Sequence, residues 1–266
     1  DFFGSPDQSL RGRLSGYVPH LLRSVDDETG TPVPAGKVAR RIAKSMPGLT
    51  ILYGDAGIGK SDLLLFLAYR LRRVSLVRIP KRLSDCGEVF LELSGYESVQ
   101  EIVTELARRT KGRKPMTVLL DGFDEFCDGQ TEKAEDLWRR LITQLVRGGV
   151  YDHCLHLLIT TRLDVFSDGL PVVDDIPTSA CAVLPINVRQ GKRLCANACR
   201  ASGESSDARQ STVKSMDKLL RPDSLFCRPL ILGWAPRLLA SRRRDGAETL
   251  PLFALLGKIF DLNVRK

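Results

Sequence analysis

The run Gly54-Asp55-Ala56-Gly57-Ile58-Gly59-Lys60-Ser61 fits the pattern G-x-x-x-x-G-K-[ST]. Its residue types suit the cradling of phosphate. Glycines let successive backbone N–H groups curl inward around an anion, where a Cβ would obstruct the curl. A helix starting at the end of the loop adds unpaired N–H groups and the positive end of its dipole. Lys60 is placed to reach β- and γ-phosphates, and the Ser61 hydroxyl to ligate Mg²⁺. The stretch from Gly54 to Asp62 is therefore the expected binding surface for a nucleoside triphosphate. A second chemical stretch is Met116-Thr117-Val118-Leu119-Leu120-Asp121-Gly122-Phe123-Asp124-Glu125. An apolar strand that ends in an acid is the Walker B pattern, with Asp121 as the second Mg²⁺ ligand beside Ser61. Asp124 and Glu125 follow a small residue and are expected to orient an attacking water. In Leu158-Ile159-Thr160-Thr161-Arg162, the strand ends in two hydroxyls and a cation, and Arg162 is expected to meet the γ-phosphate.

These groups work only if the elements around them converge. Leu49-Thr50-Ile51-Leu52-Tyr53 reads as a buried strand before the glycine loop, and 62–71 as a helix after it. Residues 88–93 alternate like a second strand. Residues 99–109 form an amphipathic helix with Ile102, Val103 and Leu106 on one face. A helix over 136–146, a strand over 155–162 and a short strand over 181–184 follow. Parallel strands alternating with helices bind ligands at the strands' carboxyl ends, where Asp121 and Arg162 fall. The expected organisation is a lead-in over 1–46 with a helix-compatible piece at 38–45, a nucleotide-binding domain over 47–185 and a helical domain over 186–266. In the last, apolar spacing predicts helices over 194–201, 213–220, 225–240 and 252–264.

At 266 residues, with 43% hydrophobic and 27% charged content, the chain has material for a sizeable core and an ordinary hydrophilic surface. Its longest apolar run, Leu63 to Tyr69, is far short of a membrane span, so no membrane partner is expected. Seven cysteines without a C-x-x-C pair suit reduced thiols, which points to a cytoplasmic location. The chain opens on Asp1 rather than Met, which points to a fragment, so the lack of a leader carries no weight. The net charge of +8 draws attention to Arg70/Arg72/Arg73, Arg108/Arg109/Lys111/Arg113/Lys114 and Arg242-Arg243-Arg244. Most of these sit at helix ends, where cations complement the dipole, and aromatics are not interleaved with them, so a nucleic-acid partner is a secondary expectation. His153 and His156 match no metal spacing, and Cys195/Cys199 share a helix face as core residues. Leu93-Ser94-Gly95-Tyr96-Glu97 mimics a transporter-ATPase signature but follows the loop too closely, with no helical subdomain between.

In order, Gly54–Ser61, Leu119-Leu120-Asp121-Gly122-Phe123-Asp124-Glu125 and Leu158–Arg162 resemble the NACHT-type signal-transducing (STAND) P-loop ATPases, related to the NOD-like immune receptors. The Asp-Gly-Phe-Asp-Glu run is the most specific match. Cys227-Arg228-Pro229-Leu230-Ile231-Leu232 is similar to the family's helical-domain motif, which implies that Pro229 packs against the adenine ring. Leu250-Pro251-Leu252 resembles the family's lead-in to a winged helix. The resemblance implies an α/β P-loop NTPase three-layer sandwich with a parallel sheet in the order 5-1-4-3-2, followed by a small helical domain. It implies ATP/ADP and Mg²⁺ as cofactors and slow hydrolysis. It further implies a nucleotide-dependent switch that self-associates in the ATP state, for innate-immune, anti-phage or cell-death signalling. Effector and sensor domains would flank this stretch. No histidine follows His156, so the family's winged-helix histidine has no counterpart here. Other readings are an AAA+ or helicase-like motor on nucleic acid, a non-hydrolysing nucleotide-binding scaffold, and a small-molecule or nucleotide kinase; for the last, no clear lid follows the fourth strand.

Overall fold

The computed structural model describes residues 17–24, 30–44, 48–78, 88–111, 116–171, 176–201, 203 and 205–217. The described residues divide into two compact units, one of Pro19–Ala56 and Lys60–Leu184, the other of Tyr17–Val18, Gly57–Gly59 and the described residues from Pro185 on. In chain order the elements are β1 (Leu21–Ser24), β2 (Val33–Pro34), α1 (Ala35–Ile42), β3 (Leu49–Tyr53), α2 (Lys60–Arg78), β4 (Glu88–Glu92) and α3 (Val99–Thr110). There follow β5 (Met116–Asp121), α4 (Phe123–Asp128), α5 (Ala134–Arg147), β6 (Cys154–Thr161), β7 (Thr178–Val183), α6 (Val188–Ala201) and α7 (Ser206–Asp217).

Seven strands form one sheet in the order β2-β1-β7-β3-β6-β5-β4. From β7 to β4 all neighbours are parallel. Numbered among themselves, those strands run 5-1-4-3-2, as the resemblance implies. The sheet is extended past β7 by β1 and β2, which pair antiparallel and come from the stretch expected only as a lead-in. Leu22 of β1 is completely buried, and Leu184 N donates to Leu21 O at 3.1 Å, so this edge is stitched to the strand that ends the sheet unit. Pro34 ends the outermost strand, where a missing N–H costs no ladder bond and blunts the edge.

Strand alternation sends side chains to two covered faces. Leu49 and Ile51 of β3, Val118 and Leu120 of β5, and Leu157 and Ile159 of β6 join Ile102 and Leu106 of α3 and Leu141 and Leu145 of α5 in one apolar cluster. The intervening Leu52, Leu119 and Leu158 are equally buried, on the side where α2 crosses the strands with Leu63, Leu64 and Leu67 inside. The helix α1 packs on α2 through Ala35, Val38, Ala39 and Ile42, starting three residues before the spacing predicts. The acids after Gly122 lie in a helix, anchored by Phe123 and Phe126 beneath Trp138 and Phe166.

In the second unit α6 and α7 pack on one another, with Leu194, Cys195, Ala198, Cys199 and Met216 buried. A capping box starts α6: Gln190 N donates to Asn187 Oδ1 and Asn187 N to Gln190 Oε1, both at 2.9 Å. The helices expected over 225–240 and 252–264 lie outside the described residues. No disulfide joins cysteines among the described residues, and burial pushes the thiols of Cys127 and Cys154 up to about 12, so both are poor nucleophiles. Among the described residues no helix is long and apolar enough to cross a membrane.

Gly48 precedes the loop-bearing strand at a close approach. Leu49 N bonds Pro177 O at 2.9 Å and Leu157 N bonds Gly48 O at 3.1 Å, and a Cβ at Gly48 would lie 2.6 Å from Pro177 O. The obstacle is backbone, the residue just before β7, and cannot swing aside. Gly48→Ala is expected to destabilise the fold by about 1–3 kcal/mol. Gly95→Ala, whose Cβ meets nothing within 4 Å, should stay within about 0.5 kcal/mol of the parent. Urea unfolding of the two variants, followed by circular dichroism, checks the difference.

Candidate phosphate-binding site

The parallel registers bring four strand ends to one edge. Tyr53 pairs with Thr161, Leu52 with Thr160, Leu120 with Ile159 and Glu92 with Asp121. The chain order reverses here, since β3 is flanked by β6 and β7 while β4 lies at the far side, and such a crevice is where open α/β sheets take ligands. From β3 the chain enters the glycine loop, whose first amide, Gly54 N, donates to Thr161 O at 3.3 Å. Gly57 and Gly59 adopt φ of 71° and 92°, the left-handed region that other residues rarely enter. Asp55 and Ala56 are exposed and Ile58 is buried.

Lys60 opens α2, and its Nζ donates to Gly54 O at 2.7 Å and to Asp55 O at 3.2 Å. Burial lowers its pKa. Asp124 counters that effect, Arg162 adds to it, and Asp121 and Glu125 oppose it, so all four groups lie within electrostatic reach of the ammonium. Ser61 is exposed in the first turn, followed by Asp62 as the first-turn acid.

At the end of β5, Gly122 turns the chain with φ 78° and ψ 48°. Its N–H donates to Thr160 Oγ1 at 2.8 Å, and the Thr160 hydroxyl donates to Asp121 Oδ1 at 2.5 Å. The hydroxyl fixes the rotamer of the strand-end acid. Beyond Gly122 the two acids separate. Asp124 is buried, and Arg162 Nε donates to its Oδ2 at 2.7 Å. Its Oδ1 is buried with no hydrogen-bond partner among the described residues. Glu125 is exposed, yet its pKa is raised by partial desolvation, then by Asp124, Asp121 and Glu92, with Lys60 acting against them. Arg162 lies just past β6 rather than on it, and also reaches Asp128 at 3.3 Å.

Of the residues singled out from sequence, the sheet edge brings together Lys60, Asp121, Asp124, Glu125 and Arg162; Pro229 lies outside the described residues. The clamp made by Thr160 and the second grip by Asp128 have only faint signals: a hydroxyl before Arg162, and an acid four residues after Asp124. The donor set suits a hard divalent ion held partly by a ligand. Mg²⁺ takes one or two protein oxygens and completes its shell with phosphate and water. Among the described residues no group of three His, Cys, Asp or Glu side chains is arranged to hold a metal alone. The available oxygens are the exposed Ser61 hydroxyl and the clamped Asp121 carboxylate. The residues thus fit a magnesium nucleotide.

No protein-family model matches the chain, and no curated protein sequence matches it. Solved structures do. An ORC2 protein of Aeropyrum pernix in its ADP form superposes with a TM-score of 0.55 at 15% identity, over 85% of this chain and 67% of that one. The same protein in complexes with ADPNP and ADP gives 0.45 at 16%, over 85% and 78%. A RuvB variant from Thermotoga maritima gives 0.46 at 13%, over 86% and 65%. At such identity the first likeness is one of fold, and with the sheet order it gives this chain the three-layer α/β fold of the P-loop NTPases.

Proposed function

We propose that this chain binds ATP or ADP with Mg²⁺ at the glycine loop, hydrolyses ATP slowly, and uses the difference between the two as a conformational switch. The observation that carries the reading is the convergence of Lys60, Asp121, Asp124, Glu125 and Arg162 at the carboxyl edge of the sheet. When bound, the magnesium nucleotide supplies a phosphoanhydride whose charge the metal partly neutralises. The protein's part is positioning. The loop amides and Lys60 bind phosphate oxygens; Ser61 and Asp121 hold the ion, with Thr160 keeping Asp121 in place. Glu125 is the better candidate to take a proton from water, because it is exposed and its carboxyl is already biased toward protonation. Asp124 acts chiefly through Arg162, which it orients.

The switch follows from Arg162, since the γ-phosphate is the one group that ATP has and ADP lacks. The motif set supports the NACHT form of the reading: residues 47–185 bind the nucleotide, 186–266 form a helical domain with Pro229 on the base, and the ATP state self-associates in a signalling role. A cytoplasmic location fits a described set of cysteines that forms no disulfide.

A motor acting on nucleic acid is the second reading. One observation favours it: Lys37, Arg40, Arg41 and Lys44, at i, i+3, i+4 and i+7, are all exposed on α1 and its last turn, and α1 contains no acid. The likeness to an ORC2 protein concerns the fold.

Lys60→Ala should abolish nucleotide binding, because the loop loses its one lysine, and titration with a fluorescent ATP analogue checks this. Unchanged affinity would refute the phosphate-binding assignment. Glu125→Gln should keep that affinity while single-turnover hydrolysis slows by about 10²–10⁴. The two readings part on a third measurement. On the switch reading, duplex or single-stranded DNA leaves turnover unchanged, and ATP but not ADP raises the molar mass seen by light scattering. Turnover stimulated by DNA, and lost on replacing Lys37, Arg40, Arg41 and Lys44 by glutamine, establishes the motor instead.

A further inference from the structure

Arg162 is gripped by two carboxylates of one short helix. Its Nε donates to Asp124 Oδ2 at 2.7 Å and its Nη2 to Asp128 Oδ2 at 3.3 Å, while Asp164 stands farther off at 4.0 Å. Asp124 and Asp128 lie at i, i+4 on α4 and so share a helix face. They differ in setting: the side chain of Asp124 is 6% exposed and that of Asp128 68%. A guanidinium presents a planar fork of donors that matches carboxylate and phosphate oxygens alike. The two acids take the Nε–Nη2 edge of that fork, one of the two edges able to present paired N–H groups to a terminal phosphate.

We propose that Asp124 and Asp128 together hold Arg162 in the absence of triphosphate, and that Asp128 sets how strongly the site prefers triphosphate over diphosphate. The inference rests on the nucleotide-binding reading above. Drawing Arg162 away uncovers a buried charge at Asp124, whose Oδ1 already lacks a partner among the described residues. That is the expensive part of release, because a buried carboxylate without its cation is strongly disfavoured. Parting from the exposed Asp128 is the adjustable part. A triphosphate that engages the Nε–Nη2 edge of Arg162 must overcome both holds. A diphosphate has no terminal group at that place, leaves the arginine where it is and meets neither cost. Weakening the hold at Asp128 therefore favours the triphosphate alone.

The test is a double-mutant cycle on nucleotide affinity, using ATP with a non-hydrolysable γ-linkage and ADP at about 0.15 M ionic strength. Asp128→Asn should raise the triphosphate-to-diphosphate affinity ratio about two- to fivefold, the range of one exposed ion pair. Asp128→Glu, which keeps the charge, should return the ratio toward the parent value. In an Arg162→Ala background Asp128→Asn should leave the ratio unchanged. An equal gain in both backgrounds overturns the proposal, since Asp128 would then act on the ligand's charge directly rather than through Arg162. No gain in either also overturns it. An unaltered chain that binds neither nucleotide removes the underlying reading and the inference with it, a result distinct from binding without the predicted ratio.

Discussion

The Thr160 hydroxyl sits where β5 and β6 end, accepting from Gly122 N and donating to Asp121 Oδ1. Its direction is forced. An amide N–H can only donate, so the single hydroxyl proton is left for the carboxylate. Thr160 is fully buried, and removing the oxygen would strand a donor and an acceptor at about 1–3 kcal/mol each. One atom thereby sets the rotamer of the strand-end acid and the turn at Gly122. From that turn α4 takes its direction, and with it the placement of Asp124, Glu125 and Asp128. The register of β5 against β6, Leu120 opposite Ile159, is what puts Thr160 next to Asp121.

The helix that follows is too short to be stable alone, because a single turn fixes many dihedrals for few hydrogen bonds. It is held from below. Phe123 meets Trp138 edge-on at 5.1 Å and stacks on Phe166 at 5.9 Å, while Phe126 tilts against Phe123 at 6.2 Å. Such pairs contribute about 0.5–1.5 kcal/mol beyond their buried area. The cluster also offsets a buried Trp138 Nε1 that has no hydrogen-bond partner among the described residues. The acids proposed to act at phosphate are thus carried on an aromatic base instead of a loop.

Where a motif requires a particular backbone path, the sequence could be read through to structure. The glycine loop demands a strand before it and a helix after it, and β3 and α2 are there. The apolar run ending in Asp121 and the run ending in Thr160-Thr161-Arg162 likewise became neighbouring strands. Elements without such a demand were harder to see. A strand of two residues ending in proline has no period to detect, so β2 and its partner β1 pass for irregular chain. The six residues of α4 are likewise below the length at which helical spacing shows. Asp128 was silent for a different reason: its part depends on Arg162, which lies on another element. Pairings across a sheet edge are properties of the folded backbone and have no local signature.

On the proposed reading, the balance of charge around Lys60 also decides what form of ligand enters. Three acids, Asp124, Asp121 and Glu125, act on that ammonium, with Arg162 as the one other cation named beside it. Glu92 adds to the acids around Glu125. The acids outnumber the cations before any ligand arrives, and Asp124 already claims Arg162. A bare polyphosphate would add several negative charges to this surplus, at distances where the low-dielectric edge of the sheet screens poorly. Loop amides supply only partial charges in compensation. A divalent ion arriving with the phosphates reverses the sign of the problem, since its charge is shared between the ligand and the clamped Asp121. In that reading the acids do more than position an ion, since their excess disfavours the metal-free anion as a ligand. Lys60 keeps its ammonium on the carbonyls of Gly54 and Asp55, where it meets whatever phosphate the loop accepts.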